Sequence, residues 1–328
     1  MKKIAIIGSG SWGVALGIYL AKRGNDIIIW SFNEDEKNEI NKEKKTKFLP
    51  NLVLPDNITC TTSFEETLKD AEIVLHVTPS KFVRDTIKKY KEYVKSNHII
   101  IMCSKGLESG TGLPMDEIIK EELPNIKHGA LSGPSHAEEV SIDIPTALVI
   151  ASESDDVVQK VAELLNSNTI RMYKSKDIKG VEIGGSLKNI IAFCAGVARG
   201  QNLGDNTFAA LVTRGLVEIT RLGTAMGGAE RTFYGLTGLG DLIVTCGSVH
   251  SRNRRAGELI GKGFNIEEAR KQIGQTIESV DNIQIAYELS KKYNIEMPIT
   301  ETVYNVLYNG LSPEDAVNLL MTRELKEE

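Results

Sequence analysis

Residues 4–13 read IAIIGSGSWG, and this stretch decides the fold of the first half of the chain. Its first four residues form a continuous apolar run, which is typical of a buried strand. A cluster of three glycines interrupts the run, and an uncharged helical pattern then continues to residue 21. The next apolar run, DIIIW at residues 26–30, completes the unit. The stretch therefore predicts strand, tight turn, helix and strand in that order.

The three glycines have the spacing GxGxxG, in which each position has its own physical reason. Gly8 permits the tight turn, Gly10 lets the backbone approach a pyrophosphate, and Gly13 lets the helix pack on the strand. The N-terminus of the helix then faces the phosphates. In this context the motif predicts a dinucleotide site. The tip of the second strand, WSFN at residues 30–33, has neither an acid for a ribose 2′-hydroxyl nor an arginine for a 2′-phosphate, so NAD and NADP both stay open.

The length is sufficient for two domains, and the composition is that of a soluble globular chain. There are 328 residues, of which 41% are hydrophobic and 25% charged, with a net charge of −5. This balance argues against a nucleic-acid binder, which normally carries a basic face. Residues 4–21 superficially resemble a signal peptide or a membrane span, but their glycine cluster marks the start of a soluble domain. We therefore expect a cytoplasmic protein.

The cysteines and histidines predict no metal site. The four cysteines form no CxxC pair and lie in apolar or mixed segments, which indicates buried thiols in a reducing compartment. The five histidines are scattered and form no HExxH motif.

The two halves of the chain differ in periodicity. Up to about residue 175, six apolar runs alternate with helical patterns, which predicts a parallel sheet covered on both faces. Residues 33–47 hold ten charges of mixed sign and are expected to form a solvated helix face or loop. After about residue 178 only helical spacing remains. The prediction is an α/β fold: an N-terminal Rossmann-like doubly wound sheet at 1–178, then an all-helical domain at 179–328.

Five further motifs contain residues that could do chemistry. They are SKG (104–106), LSGPSHAEEV (131–140), GGSLKNIIAFCAGVA (184–198), GLTGLGDLIVTC (235–246) and HSRNRRAGELI (250–260). The first two follow strand ends, where open α/β sheets bind ligands. Arg252 beside a helix start suits a phosphate, although it could instead belong to a solvated cluster with Arg254 and Arg255. Asp241 could cap a helix, and Lys188 could extend its ammonium to water.

The order of these motifs, with KFLPNLVLP at 47–55, resembles NAD(P)-dependent glycerol-3-phosphate dehydrogenase of the bacterial type. The resemblance covers nearly the whole chain. It implies reversible hydride transfer between sn-glycerol 3-phosphate and NAD(P)⁺ to give dihydroxyacetone phosphate, with the reductive direction supplying phospholipid synthesis. It implies NAD or NADP as the cofactor, a small phosphorylated substrate, no nucleic acid and no membrane insertion. A homodimer stays an open alternative.

The resemblance also assigns roles residue by residue. The proton-transferring lysine falls on Lys188, with Asp241 as its catalytic partner. The substrate site falls on Lys105, Gly133, Ser135, Lys188, Asp241, Ser251, Arg252 and Asn253. The cofactor site falls on Gly8, Gly10, Ser11, Trp12, Gly13, Phe32, Lys105, Ala137, Arg252, Ile277 and Glu278. Two positions depart from the family: a basic residue near Phe32 is missing, and Ser279 stands where a glycine is usual.

Two other functions fit part of the pattern. A β-hydroxyacid dehydrogenase also joins a Rossmann domain to a helical domain and uses a lysine near an asparagine, but its substrates are carboxylates. The motif SRN at 251–253 favours a phosphate ester instead. A non-catalytic NAD(P) sensor would bind cofactor without turnover, and the retained Lys188 and Asp241 argue against it.

Overall fold

The structure is a computed structural model that describes residues 2–325 and 327. The chain divides into two compact units. Unit 1 comprises Met1–Lys105 and Leu113–Glu182, and unit 2 comprises Gly106–Gly112 and Ile183–Glu328. Unit 1 contains one eight-stranded sheet, whereas the described part of unit 2 is helical.

The sheet of unit 1 is doubly wound, as predicted. Its strand order is β3-β2-β1-β4-β5-β6-β7-β8, which begins like the 3-2-1-4-5-6 order of dinucleotide-binding sheets. The strands are β1 Lys3–Ile7, β2 Asp26–Trp30, β3 Ile58–Thr61, β4 Ile73–His76, β5 Ile99–Met102, β6 Lys127–Ser132, β7 Thr146–Ala151 and β8 Ile170–Ser175.

The sheet differs from the expected one in two ways. β6 and β7 pair antiparallel, so the sheet is not wholly parallel. The connection between them contains only one four-residue helix, Ala137–Val140, so the chain turns back instead of crossing a face of the sheet. The edge strands β3 and β8 also have no counterpart among the six apolar runs. Because edge strands leave some residues in contact with water, β8 alternates buried and exposed residues over IRMY and lacks a continuous apolar signal.

Helices cover both faces of the sheet in unit 1. Alternate residues of β1 belong to different cores: Ile4 and Ile6 to one, Ala5 and Ile7 to the other. The helices of this unit are α1 Ser11–Ala21, α2 Glu34–Asn38, α3 Phe64–Leu68, α4 Val83–Tyr90, α5 Met115–Glu122, α6 Ala137–Val140 and α7 Asp155–Leu165.

The charged segment 33–47 is more ordered than predicted. Helix α2 runs directly into a π-helical turn, Glu39–Glu43. The expectation of a fully solvated segment is wrong, because Glu36 and Ile40 are buried. Ile40 lies four positions after Glu36, on the same side of the helical segment, and packs into the core of unit 1.

The second unit has a core of its own, built from helices. Helix α8 Ile178–Gly200 belongs to this unit from Ile183 onward. The others are α9 Asp205–Ala225, α10 Glu230–Phe233, α11 Asp241–Gly247, α12 Arg252–Gly261, α13 Ile266–Ile273, α14 Glu278–Tyr293, α15 Pro298–Tyr308 and α16 Pro313–Met321. Helix α8 is long and apolar enough to cross a membrane, but its most apolar window is entirely buried in the protein. Its composition is therefore that of a core helix.

Candidate active site

The glycine turn after β1 is shaped as its spacing predicts. Gly8 has φ +123°, and a Cβ there would lie 3.1 Å from the carbonyl group of Val77. A Cβ on Gly13 would overlap the carbonyl oxygen of Gly8, so helix α1 can approach β1 only without a side chain. A Cβ on Gly10 would meet no atom within 4 Å among the described residues. Gly10 thus leaves open space beside the backbone at the start of α1.

The start of α1 fits a pyrophosphate. Gly10 is the N-cap and Ser11 the first helical residue, so the unpaired N–H groups of the first turn are available to an anion. The indole Nε1 of Trp12 is buried and has no hydrogen-bond partner among residues 2–325 and 327. A buried donor without a partner is costly, and a bound polar ligand would satisfy it.

Three predicted residues meet at the ends of β5 and β6. The carbonyl oxygen of Gly133 accepts hydrogen bonds from Lys105 Nζ and Ser135 Oγ, both at 3.0 Å. Ser104 Oγ donates to the carbonyl of Thr78 at 2.5 Å, which ties this loop to the end of β4. Ala137 follows as the first residue of α6. Strands β4, β5 and β6 run parallel to β1. These groups therefore lie at the carboxyl-terminal end of the strands, as the glycine turn does.

The tip of β2 holds an acid that sequence reasoning missed. Phe32 is 78% exposed, whereas Ser31 is fully buried and donates to the carboxylate of Glu36 at 2.9 Å. Helix α2 folds back and brings Glu36 to the tip from five residues farther along the chain. Residues 30–33 themselves contain no acid, but the folded site does, because Glu36 lies beside them.

In unit 2, Lys188 lies in the buried part of α8. Its Nζ donates to Asp241 Oδ1 at 2.5 Å and to Thr245 Oγ1 at 2.8 Å. Thr245 Oγ1 in turn donates to the carbonyl of Asp241 at 2.5 Å. All three side chains are buried, so the ammonium does not extend to bulk water. A carboxylate in contact offsets much of the cost of burying the lysine.

Asp241 does not cap its helix, contrary to one reading of the sequence. It is the first residue of α11, and the N-cap position is occupied by Gly240, which has no side chain. The carboxylate is bonded to Lys188 instead. Thr245 was missed, although its spacing of four from Asp241 places both on one helix face.

Asn253 links three helices of unit 2. Its Nδ2 donates to Oδ1 of Asn189, the neighbour of Lys188, at 3.0 Å. Its Oδ1 accepts the backbone N–H of Ser279, the neighbour of Glu278, also at 3.0 Å. The amide therefore joins α12 to α8 and to the start of α14, where Ile277 is the N-cap. Asn189 and Ser279 were not predicted as part of this arrangement.

The start of α12 combines a cap with an arginine. Ser251 is the N-cap, and its Oγ accepts the N–H of Arg254 at 3.2 Å. Arg252, the first helical residue, donates from Nη1 to Gln275 Oε1 at 3.3 Å. Arg254 is buried and donates to the carbonyl of Ser248 at 2.8 Å, so the reading of Arg254 as a solvated residue is wrong. Arg255 is exposed.

Glycines set the close approach of α12 to α8. A Cβ on Gly257 would overlap the carbonyl oxygen of Phe193, and one on Gly196 would overlap that of Arg254. Only hydrogen fits at these contacts. The packing of small residues thus holds the start of α12 beside the helix that carries Lys188.

The comparisons with known proteins agree on one family. A model of the NAD-dependent glycerol-3-phosphate dehydrogenase N-terminus matches residues 3–180, and a model of the C-terminus matches residues 177–318. The glycerol-3-phosphate dehydrogenase [NAD(P)+] of Fusobacterium nucleatum is 48% identical over 332 residues, which cover 100% of this chain and 99% of the relative. That of Clostridium perfringens is 48% identical over 329 residues, with the same coverage.

A solved structure gives the same answer for the fold. The crystal structure of glycerol-3-phosphate dehydrogenase from Coxiella burnetii superposes with a TM-score of 0.95 at 38% identity. The match covers 98% of this chain and 99% of that one.

Proposed function

This chain belongs to the NAD-dependent glycerol-3-phosphate dehydrogenase family, and we infer that it reduces dihydroxyacetone phosphate to sn-glycerol 3-phosphate and catalyses the reverse oxidation. The observation that carries the proposal is the buried contact between Lys188 and Asp241. A charged pair inside an apolar core is costly to build, and such pairs concentrate at functional sites.

The proton-transfer role belongs to Lys188. When NAD or NADP is bound, its nicotinamide would supply or accept the hydride at the substrate carbon. When that carbon is reduced, negative charge develops on the carbonyl oxygen, and a positioned ammonium can donate a proton to it. Asp241 and Thr245 hold the Nζ of Lys188 through hydrogen bonds of 2.5 and 2.8 Å, which fixes the direction of its donors. In the oxidative direction the same nitrogen, as the neutral amine, takes the hydroxyl proton and becomes the ammonium again.

The start of α12 is the proposed phosphate site. Helix α12 has ten residues, and the positive end of its dipole favours an anion at its N-terminus. Arg252 adds a charged planar donor at the same end. Asn253 connects this end to Asn189, next to Lys188. In unit 1, we propose that Lys105, Gly133 and Ser135 contribute further substrate contacts.

The same proposal gives each half of the chain a role. Residues 1–178 would bind NAD or NADP through the glycine turn, and residues 179–328 would supply the proton-transfer groups and the proposed phosphate site. Reduction would provide glycerol 3-phosphate for phospholipid synthesis in the cytoplasm. A homodimer is part of the proposal, and a mass of twice the 36.0 kDa chain by sedimentation would support it.

The decisive experiment compares substrates. Oxidation of NADH and NADPH is followed with dihydroxyacetone phosphate and, in parallel, with 3-oxo acids. We expect turnover with the phosphate ester alone. Turnover with the acids would indicate a β-hydroxyacid dehydrogenase, and cofactor binding without any turnover would indicate a sensor.

The first prediction is that Lys188→Met lowers kcat by about 10²–10⁴-fold, the usual contribution of a positioned general acid. The dissociation constant for NADH, measured by fluorescence, should change little. The matched control is Lys179→Met in the same helix, because Lys179 pairs with Glu117 at 3.2 Å instead. Equal activity of the two variants would show that Lys188 is a packing residue.

A further inference from the structure

Glu36 is the centre of a buried polar network at the tip of β2. Its Oε2 accepts hydrogen bonds from Ser9 at 2.5 Å and from Ser31 at 2.9 Å. Burial acts to raise the pKa of this carboxyl, but hydrogen bonds from Ser9, Lys47 and Ser31 outweigh it and lower the pKa. Glu36 is therefore ionised near neutral pH. Because Ser9 belongs to the glycine turn, the network joins that turn to the end of β2.

The second oxygen of Glu36 holds a lysine. Lys47 Nζ lies 3.0 Å from Oε1, while 56% of the Lys47 side chain is exposed to solvent. An ammonium has three N–H donors, so its bond to Glu36 does not exhaust it. The ammonium of Lys47 is thus held by the buried carboxylate of Glu36, while much of its side chain faces water.

Other lysines of this segment point elsewhere. Lys37 pairs with the exposed carboxylate of Glu34 at 3.0 Å. Lys44 donates to the carbonyls of Asp56 and Ile58, at 3.3 and 3.1 Å, at the start of β3. Among the lysines of residues 37–47 whose contacts the structure gives, Lys47 is the one bonded to the network of the strand tip.

The tip of the second strand is where a dinucleotide-binding fold reads the ribose 2′ position. An acid there accepts from the 2′-hydroxyl of NAD, and a cation nearby accommodates the 2′-phosphate of NADP. Here the acid is already bonded to two hydroxyls and an ammonium. Resting on the function proposed above, we propose that Lys47, positioned by Glu36, recognises the 2′-phosphate and determines how well the enzyme uses NADPH.

This assignment accounts for the missing basic residue near Phe32. A cation from residue 47 reaches the tip because the π-helical turn Glu39–Glu43 and the following loop return the chain to α2. The ion pair carries no net charge, so it adds no strong repulsion against either cofactor. The chain therefore keeps use of NADH while gaining a contact for NADPH.

The test measures kcat/KM for NADPH and NADH at saturating dihydroxyacetone phosphate in Lys47→Met, Lys47→Arg and the matched control Lys37→Met. We expect Lys47→Met to lower the NADPH/NADH ratio of kcat/KM about tenfold, because a charge-assisted contact to phosphate is lost. The change should lie in KM for NADPH. Lys47→Arg should restore most of the ratio, and Lys37→Met should leave it within about twofold of wild type, as expected for an exposed pair.

Direct binding separates this proposal from the proposed reaction. Dissociation constants for NADPH and NADH are measured by fluorescence without substrate, so they remain informative even if dihydroxyacetone phosphate is not reduced. A ratio unchanged in Lys47→Met, or lowered equally in Lys37→Met, overturns the role of Lys47. Absence of turnover together with a shifted binding ratio overturns only the reaction.

Discussion

At the residue scale, the central fact is the pairing of Lys188 with a carboxylate 53 residues away along the chain. Removing one partner of a buried ion pair leaves an uncompensated charge, which costs about 3–5 kcal/mol. Asp241 is thus needed for stability as well as for orientation. The contact with Asp241 explains why the charge of Lys188 can lie in a helix of otherwise apolar composition.

The second prediction concerns Arg252. We expect Arg252→Ala to lower kcat/KM for dihydroxyacetone phosphate about 10–100-fold, because a charge-assisted hydrogen bond contributes about 1.5–3 kcal/mol. Steady-state kinetics with varied substrate give the value. The loss should be smaller for a substrate analogue without the phosphate.

The control for this prediction has to be Arg255, not Arg254. Arg255 is exposed one turn along the same helix, whereas Arg254 is buried and bonded to Ser248 and Glu258. Arg254→Ala would lower stability and obscure the comparison. If Arg255→Ala reduces kcat/KM as much as Arg252→Ala does, the phosphate does not bind at Arg252.

At the scale of elements, a buried glutamate of α9 caps another helix. Glu218 accepts from the N–H groups of Ile299 and Thr300 at 2.6 and 3.1 Å, at the start of α15. Burial raises the pKa of Glu218 to about 7, despite these hydrogen bonds. The carboxyl group of Glu218 therefore titrates near neutral pH in the folded protein.

The third prediction follows from this pKa. The unfolded chain releases the proton of Glu218 near pH 4.5 and the folded protein near pH 7, so the folded state binds more protons in between. Stability attributable to Glu218 is thus present below pH 4.5 and falls as pH rises to 7, by about 3 kcal/mol. Glu218→Gln should flatten the dependence of the free energy of unfolding on pH over this window.

Urea unfolding at several pH values between 4.5 and 7.5 measures the effect. Glu301→Gln is the matched control, because Glu301 lies in α15 but is exposed and paired with Lys291. Parallel curves for wild type and Glu218→Gln would contradict the raised pKa.

At the scale of the whole molecule, all four cysteines are free and buried, two in each unit. Burial raises the pKa of Cys60 and of Cys246 to about 12, and it also raises the pKa of Cys103 and of Cys194. The reactive species is the thiolate, so the native thiols should be unreactive at neutral pH.

The fourth prediction is that Ellman's reagent modifies fewer than one of the four thiols in the native protein within minutes, and all four in guanidinium chloride. The two units each contain two cysteines, so the appearance of two reactive thiols at intermediate denaturant would reveal one unit unfolding first. Fast reaction of a thiol in the native state would contradict its burial.

The sequence by itself determined the order of the fold and singled out the residues that we propose for the site. Continuous apolar strands, a GxGxxG turn and later helical spacing are local signals, because strand and helix periodicity are set by residues near one another in the chain. Motif order then pointed to the family, and Lys188, Asp241 and Arg252 could be singled out before any contact was known. These conclusions depend on patterns among residues close together in the chain, which can be recognised in the sequence alone.

Only the tertiary structure decided which side chains meet. It paired Lys188 with Asp241 and Thr245, buried Arg254, turned β7 against β6, and brought Glu36 and Lys47 to the tip of β2. Each of these depends on packing between segments far apart in sequence, or on a connection too short or too irregular to show a period. Burial changes the cost of a charge and the partner it must find, and a linear pattern cannot record burial by itself.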